Sequence, residues 1–280
     1  MLQEIAVVIL NYNTSKDCQK CISYIKQQQG IETTIIVVDN CSAPEDFEKL
    51  TDVCANQEIT LIRNEENRGY SAGNNIGLRQ AARLGFEYAL IINPDMELHP
   101  TDYLQRVVGK MHSNSKIVVA GTDIVNAEGN HHNPMRETKY VEELFWFTEL
   151  IKNKVCRRQW YLMDHKRSGY CEKLSGCCFA IRISFLRQIG FLDEHTFLYC
   201  EEPILAKQVQ QQQAKMYYMA DIQAFHNHIK SEKGSPAKRM AIFAASRTYY
   251  WNTYSGYSRF AVGLLRLSRS LHRVLFKTTK

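Results

Sequence analysis

The chain has 280 residues, 45% of them apolar, with a net charge of +6 and nine cysteines; that is enough to bury a substantial core as one large domain or two small ones. No stretch reaches the roughly 18 uninterrupted apolar residues of a membrane span, and Met1 leads straight into the strand-like Ile5-Ala6-Val7-Val8-Ile9-Leu10 with no basic leader, so the chain reads as neither secreted nor membrane-spanning. The cysteines are odd in number and scattered, which favours a reducing cytosol, and Cys18-x-x-Cys21 lacks the second pair of a zinc site.

The charge is unevenly placed. After Glu232 there are ten basic residues and no acidic one, which leaves residues 1–232 at −4. The basic balance belongs to a tail, and a nucleic-acid-binding body is excluded.

In chain order, residues 4–10 and 33–38 are apolar, β-branched runs of strand length separated by a helix-length stretch from Ser15 to Gln28. The alternation predicts a helix at 44–55, a strand at 59–63, a helix at 71–84, a strand at 88–92, a helix at 101–113 and a strand at 117–121. Strands that are apolar throughout are buried on both faces, which implies a parallel sheet covered by helices. Between 122 and 170 the pattern gives way to polar and aromatic sequence (His131-His132-Asn133-Pro134, Leu144-Phe145-Trp146-Phe147) and reads as a variable insert. Order returns with a strand over 174–183 interrupted at Ser175-Gly176, a helix at 202–213, a strand at 215–219 and two terminal helices at 237–254 and 258–276.

In an open α/β sheet, ligands bind beyond the carboxyl ends of the strands. Four such tips are polar: Asn11-Tyr12-Asn13, Asp39-Asn40-Cys41-Ser42, Asn64 leading to Asn67-Arg68-Gly69-Tyr70, and Asn93-Pro94-Asp95. Any one of them also serves as a helix cap or turn former; four together argue for a ligand site. The Gly-x-Gly-x-x-Gly of dinucleotide enzymes and the phosphate loop of NTPases are both absent.

Val7–Asn13, Val37–Ser42, Asn67–Asn75 and Ile92–Asp95, in this order and spacing, resemble the family-2 inverting glycosyltransferases of GT-A fold, above all their rhamnosyltransferase-like branch. The resemblance covers about residues 4–230. It implies an α/β, GT-A (Rossmann-like), mostly parallel central sheet flanked by helices. It also implies a catalytic domain over 1–232, divided into a nucleotide-sugar half (1–121) and an acceptor half (122–232), followed by a basic helical extension over 233–280.

The resemblance assigns roles residue by residue. Asp39 accepts the ring N–H of uracil or thymine, Asn11, Tyr12 and Asn13 line base and ribose, and Asn67, Arg68 and Gly69 approach the nucleotide. Gly73, Asn74 and Asn75 serve as readily to start and pack the next helix. Asn93-Pro94-Asp95 stands in place of the Asp-x-Asp metal motif, so Asp95, with His226, holds Mn2+ or Mg2+ against the donor diphosphate. A histidine at that place is, taken alone, also an ordinary core residue. The acidic pair after an aromatic segment is Glu201-Glu202 here, with Glu202 as general base and Glu201 as the alternative. A glutamate replaces the family's aspartate, and Pro203-Ile204 and Gln208 also depart from the pattern. Gly176 lets backbone pass close to an acceptor sugar, or marks a plain strand kink.

The implied function is transfer of a sugar from a UDP- or dTDP-sugar to a glycan or polyprenyl-diphosphate-linked saccharide in cell-surface polysaccharide biosynthesis. A non-catalytic nucleotide-sugar or glycan-binding protein and a sugar nucleotidyltransferase are the alternatives. The latter needs a Gly-rich basic loop after the first strand, which Asn11-Tyr12-Asn13-Thr14 is not. A glycoside hydrolase needs two carboxylates facing each other, whereas Glu201 and Glu202, adjacent on one element, are expected to diverge. In the tail, Phe260, Leu264, Leu267, Leu271 and Val274 form an apolar stripe, and Arg259, Arg266, Arg273 and Lys280 recur every seven residues. Residues 255–280 therefore lie on an anionic membrane surface, placing a cytoplasmic protein peripherally on the inner face of the plasma membrane, or dock on the body.

Overall fold

Ile5, Val7 and Ile9 alternate with Ala6 and Val8 along the first strand, and none of the five exposes any surface. The first set enters one core layer and the second the other, as extended backbone with side chains on alternate faces requires. In the computed structural model, which describes residues 3–57, 59–146, 162–227 and 235–276 with side chains to Ser270, this strand is β1 (Glu4–Asn11). Phe147, Cys156, His228, and the tail's Leu271, Arg273, Val274, Lys277 and Lys280 fall outside the described side chains.

The chain continues as α1 (Ser15–Lys26), β2 (Glu32–Asp39), α2 (Pro44–Ala55), β3 (Thr60–Arg63), α3 (Tyr70–Leu84), β4 (Tyr88–Ile92), β5 (Met96–Glu97), α4 (Tyr103–His112) and β6 (Ile117–Asn126). After α5 (Tyr140–Leu144) come β7 (Gly169–Cys171), β8 (Cys178–Arg182), α6 (Ile183–Ile189), α7 (Glu201–Gln211), β9 (Lys215–His226), α8 (Pro236–Thr253) and α9 (Arg259–Phe276). Among the described residues one sheet has the order β3-β2-β1-β4-β8-β6-β9-β5, with β7 on β9.

The β3-β2-β1-β4 half is parallel. β8 then runs antiparallel to both β4 and β6, which the apolar run Cys178–Ile181 could not announce, because burial of both faces says nothing about direction. β6 and β9 pair in parallel through two register shifts, and both outrun their predicted ends. The extra length of β9 carries His226 into register with Met96.

Helices α1, α2 and α4 cover one face and α3, α6 and α7 the other. α3 lies close on β1 because Gly73 and Gly77 face it: a Cβ would stand 2.5 Å from Leu10 Cδ1 at Gly73 and 2.5 Å from Val8 Cγ1 at Gly77. Asn75 ties α3 to the chain after α6, its amide bonding both N and O of Leu192 at 3.0 and 2.8 Å. The packing reading of Gly73 and Asn75 thus has direct contacts behind it. Cys18 and Cys21 lie on the buried side of α1, and burial pushes both thiols well above their ordinary range.

α8 and α9 share a third core, in which Tyr250, Trp251, Val262 and Leu265 pack with Cys200 and Ile204 of the main body. At its edge Glu143 is buried, held by Arg247 at 2.6 and 3.0 Å and by the Trp251 indole N–H. No described helix is long and apolar enough to cross a membrane.

Candidate active site

The four polar tips lie along one edge of the sheet. Asn11 and Asp39 are register partners at the ends of β1 and β2, and Asn93-Pro94-Asp95 follows β4 on the other side of β1. Asp39 and Asp95 therefore flank the same strand end.

The first two tips form a buried framework. Asn11 Nδ2 lies 3.0 Å from Asp39 Oδ1, 3.1 Å from Ser42 Oγ and 3.1 Å from Asp46 Oδ2. Ser42 N donates to Asp39 Oδ2 at 3.2 Å, and Arg63 Nε stands 3.9 Å from that oxygen while its guanidinium lies over Phe47. Asn11 and Asp39 expose no surface, so the contacts with base and ribose assigned to them are not open as the chain stands. Asp46, absent from the sequence reading, binds Ser15 N and Oγ at 3.0 and 2.7 Å. Burial pushes its carboxyl up, but the Ser15 and Asn11 hydrogen bonds outweigh that and lower it. Tyr12, 51% exposed, offers an open ring at this edge, and Asn13, at φ 57°, accepts from Ala43 N at 2.8 Å.

The third tip is an asparagine relay: Asn64 donates to Asn40 at 2.9 Å, Asn40 to Asn67 at 3.0 Å, and Gly69 N to Asn67 Oδ1 at 3.0 Å. Arg68 is exposed, 3.5 Å from Glu66. Gly69 has φ 101°, and a Cβ there would stand 2.2 Å from the Phe197 carbonyl oxygen. The close backbone approach expected at Gly69 is therefore made by the protein's own Phe197, and Tyr70 N donates to that carbonyl at 2.9 Å.

At the fourth tip, His226 Nε2 lies 3.0 Å from Asp95 Oδ2, and the His132 ring meets His226 edge-on at 5.7 Å. Asn227 N donates to the Asp95 carbonyl at 2.9 Å. Glu97, two residues on, gathers Lys20, Tyr24 and His99; burial alone would raise its carboxyl, and these partners bring it down to about 2. No group of three or more His, Cys, Asp or Glu side chains suited to a metal occurs among the described residues. One carboxylate and one imidazole in contact do fit a Mn2+ or Mg2+ ion that takes its remaining ligands from diphosphate oxygens and water.

Residues 175–177 join this tip to the acidic pair. Asn93 N donates to the Cys177 carbonyl at 2.8 Å, Tyr70 Oη donates to the Gly176 carbonyl, and Gly176 N donates to Glu202 Oε1 at 3.3 Å. A Cβ on Gly176 would stand 3.4 Å from the same oxygen. Glu201 and Glu202 both belong to the lining of one pocket, with Tyr70, Gly176, Asp193 and Gln208. Tyr199 and Cys200 both take left-handed φ (73° and 69°) in the strained turn that leads into α7. Glu201 Oε1 is buried with no hydrogen-bond partner; burial, then the charge of Glu202, push its carboxyl up to about 8.

The tail buttresses this turn, as the sequence alone does not show. Ser246 Oγ donates to the Leu198 carbonyl at 2.7 Å, Tyr249 Oη to Asp193 at 2.8 Å with Tyr254 Oη on the same oxygen, and the Phe243 ring meets Tyr199 at 5.7 Å.

The fold superposes on GalNAc-T7 with UDP, GalNAc and Mn2+ over 90% of this chain and 49% of that one (TM-score 0.64, 15% identity). It also superposes on S. aureus TarS 1-349 with UDP over 99% and 74% (0.59, 13%), and on the Pyrobaculum calidifontis mannosyltransferase PcManGT with GDP-Man and Mn2+ over 98% and 81% (0.58, 13%). These likenesses establish a GT-A-like fold. In sequence, the chain is 28% identical over 230 residues to the low-salt glycan biosynthesis hexosyltransferase Agl10 of Haloferax volcanii, covering 81% of this chain and 68% of that protein. It is 24% identical over 127 residues to the succinoglycan biosynthesis protein ExoO of Rhizobium meliloti, covering 45% and 35%. The pattern of glycosyl transferase family 2 matches residues 6–190, a span that holds all four strand tips and Gly176 but stops short of Glu201 and Glu202, and the chain belongs to that family.

Proposed function

We propose that this glycosyltransferase moves a hexosyl group, with inversion, from a UDP- or dTDP-sugar to a saccharide or lipid-linked saccharide acceptor in the building of a cell-surface glycan. The supporting observation is the 175–177 segment, hydrogen-bonded to Asn93 beside the Asp95–His226 pair on one side and to Glu202 on the other. In the proposed arrangement the donor diphosphate lies on the Asp95–His226 side of that segment and the proton acceptor on the Glu202 side. A relative matched over most of the chain carries a hexosyltransferase's name; rhamnosyl transfer has no such support.

In this reading Asp95 and His226 hold Mn2+ or Mg2+, which when bound supplies positive charge to the diphosphate as it leaves. Tyr12 offers a stacking face to the base and Arg68 an exposed cation to the phosphates. A ring N–H of uracil or thymine replaces Ser42 N–H or the Asn11 amide as donor to Asp39. Glu202, fixed by Gly176 N–H, takes the acceptor hydroxyl's proton as that oxygen attacks the anomeric carbon. Glu201, held neutral by burial, keeps a second negative charge out of the pocket.

A thermal-shift panel of UDP, dTDP, GDP and CDP with and without Mn2+ tests this, since a ligand that binds only the folded chain raises its melting temperature. UDP or dTDP should stabilise most, with a Mn2+ increment lost in Asp95→Ala, and nucleoside diphosphate should be released only with acceptor present. Selective stabilisation by GDP or CDP would overturn the role of Asp39. Pyrophosphate release from an NTP would identify a nucleotidyltransferase instead, and nucleotide binding without turnover a binding protein.

A further inference from the structure

α9 carries more apolar surface than its docking uses. Val262 and Leu265 are buried against Tyr250, Trp251, Cys200 and Ile204. Tyr140 Oη donates to the Ala261 carbonyl at 3.2 Å and Ser268 Oγ to the Leu144 carbonyl at 2.6 Å. At roughly 100° per residue, Phe260 and Leu267 fall within about 20° of each other and about 140–160° from the docked pair, with the half-buried Leu264 between them and Leu265. Phe260 is 76% exposed and Leu267 60%. The helix thus docks with one side and holds an apolar stripe open on the other.

The surrounding charge identifies what covers that stripe. Arg259 and Arg266 are exposed at about 100–120° to one flank of it, and residues 233–280 hold ten basic side chains and no acidic one. A second copy of the chain would bring two like-charged tails together. A bilayer surface rich in anionic lipid satisfies both features: the apolar side chains enter the boundary between headgroups and acyl chains, and the arginines stay at the level of the phosphates. We propose that α9 lies on an anionic membrane surface and anchors the protein there peripherally. Because α8 and α9 share a core with Cys200, and Ser246 binds the Leu198 carbonyl, the anchor is rigidly joined to the turn that presents Glu201 and Glu202. The acidic pocket is therefore held at a set height above the lipid.

Flotation of the full chain with vesicles of phosphatidylcholine, alone or with about 30% phosphatidylglycerol, tests this directly. The wild type should float with the anionic vesicles about tenfold more than with the neutral ones and lose that binding in high salt. Phe260→Glu with Leu267→Glu, and separately Arg259→Glu with Arg266→Glu, should each lose about tenfold while keeping the wild-type melting temperature and nucleotide-induced stabilisation. Those two readouts separate failure of the anchor from failure of the proposed activity. Absence of wild-type binding, or equal flotation of the Phe260/Leu267 variant, would overturn the proposal. So would a wild-type dimer, seen by light scattering, that this variant dissociates.

Discussion

Replacing Gly69 by alanine should damage the active-site turn more than its size suggests. The new Cβ would stand 2.2 Å from the Phe197 carbonyl oxygen and 2.6 Å from its Cα, where an ordinary contact is about 3.4 Å or more, so backbone must yield by about 1 Å. The φ of 101° adds strain of about 1–3 kcal/mol in a residue with a side chain, and overpacking adds about 1–3 kcal/mol. Gly85 supplies the control: its φ is 91°, but nothing stands within 4 Å of a Cβ there, so Gly85→Ala should show the strain alone. Urea unfolding of the two variants isolates the contact with Phe197 as their difference. Because Phe197 lies in the turn leading to Glu201 and Glu202, a displacement of about 1 Å should lower kcat about 100-fold while leaving donor binding near wild type. Gly69→Ala matching Gly85→Ala in stability and keeping wild-type kcat would refute the reasoning.

Glu202→Gln should lower kcat by about 10²–10⁴ with little change in donor affinity, and Glu201→Gln much less; the reverse ranking in steady-state kinetics would make Glu201 the base. Glu201, pushed up to about 8, binds a proton in the folded chain that the unfolded chain releases. Its stabilising effect is complete below the ordinary carboxyl value and is lost as pH rises through about 8, so the wild-type melting temperature should fall between about pH 5 and 8, level off above that, and the fall should shrink in Glu201→Gln. Asp95→Ala and His226→Ala should each raise the Mn2+ concentration needed for half-maximal activity at least about tenfold, read by metal titration against EDTA-treated enzyme. Glu143→Ala leaves Arg247 buried without its carboxylate and should cost about 3–5 kcal/mol in chemical denaturation.

The elements of the first 121 residues were legible because the local signals agree. β-branched runs such as Ile35–Val38 alternate with helix-length polar stretches, and a polar residue closes each strand. The acidic pair was legible too, as Glu201-Glu202 after Phe197-Leu198-Tyr199. The environment of Asp39 was not, because its partners Asn11, Ser42 and Arg63 lie between 3 and 28 residues away. Nor was the left-handed backbone at Tyr199 and Cys200 just before the acidic pair, residues with no glycine-like signature to announce it. Asp46, Glu97 and Glu143 carry no local signal, since in the sequence each is one acidic residue among many.

The chain's own order of residues determines that strands and helices alternate, which strand ends are polar, and that the tail is basic with an apolar stripe; these follow from local propensity and periodicity. Only the packed structure decides that β8 runs antiparallel, that Asp39 is sealed within a hydrogen-bonded framework, and that α8 and α9 brace the turn before Glu201. Those features arise from contacts between segments distant along the chain, and no local pattern encodes which segments will meet.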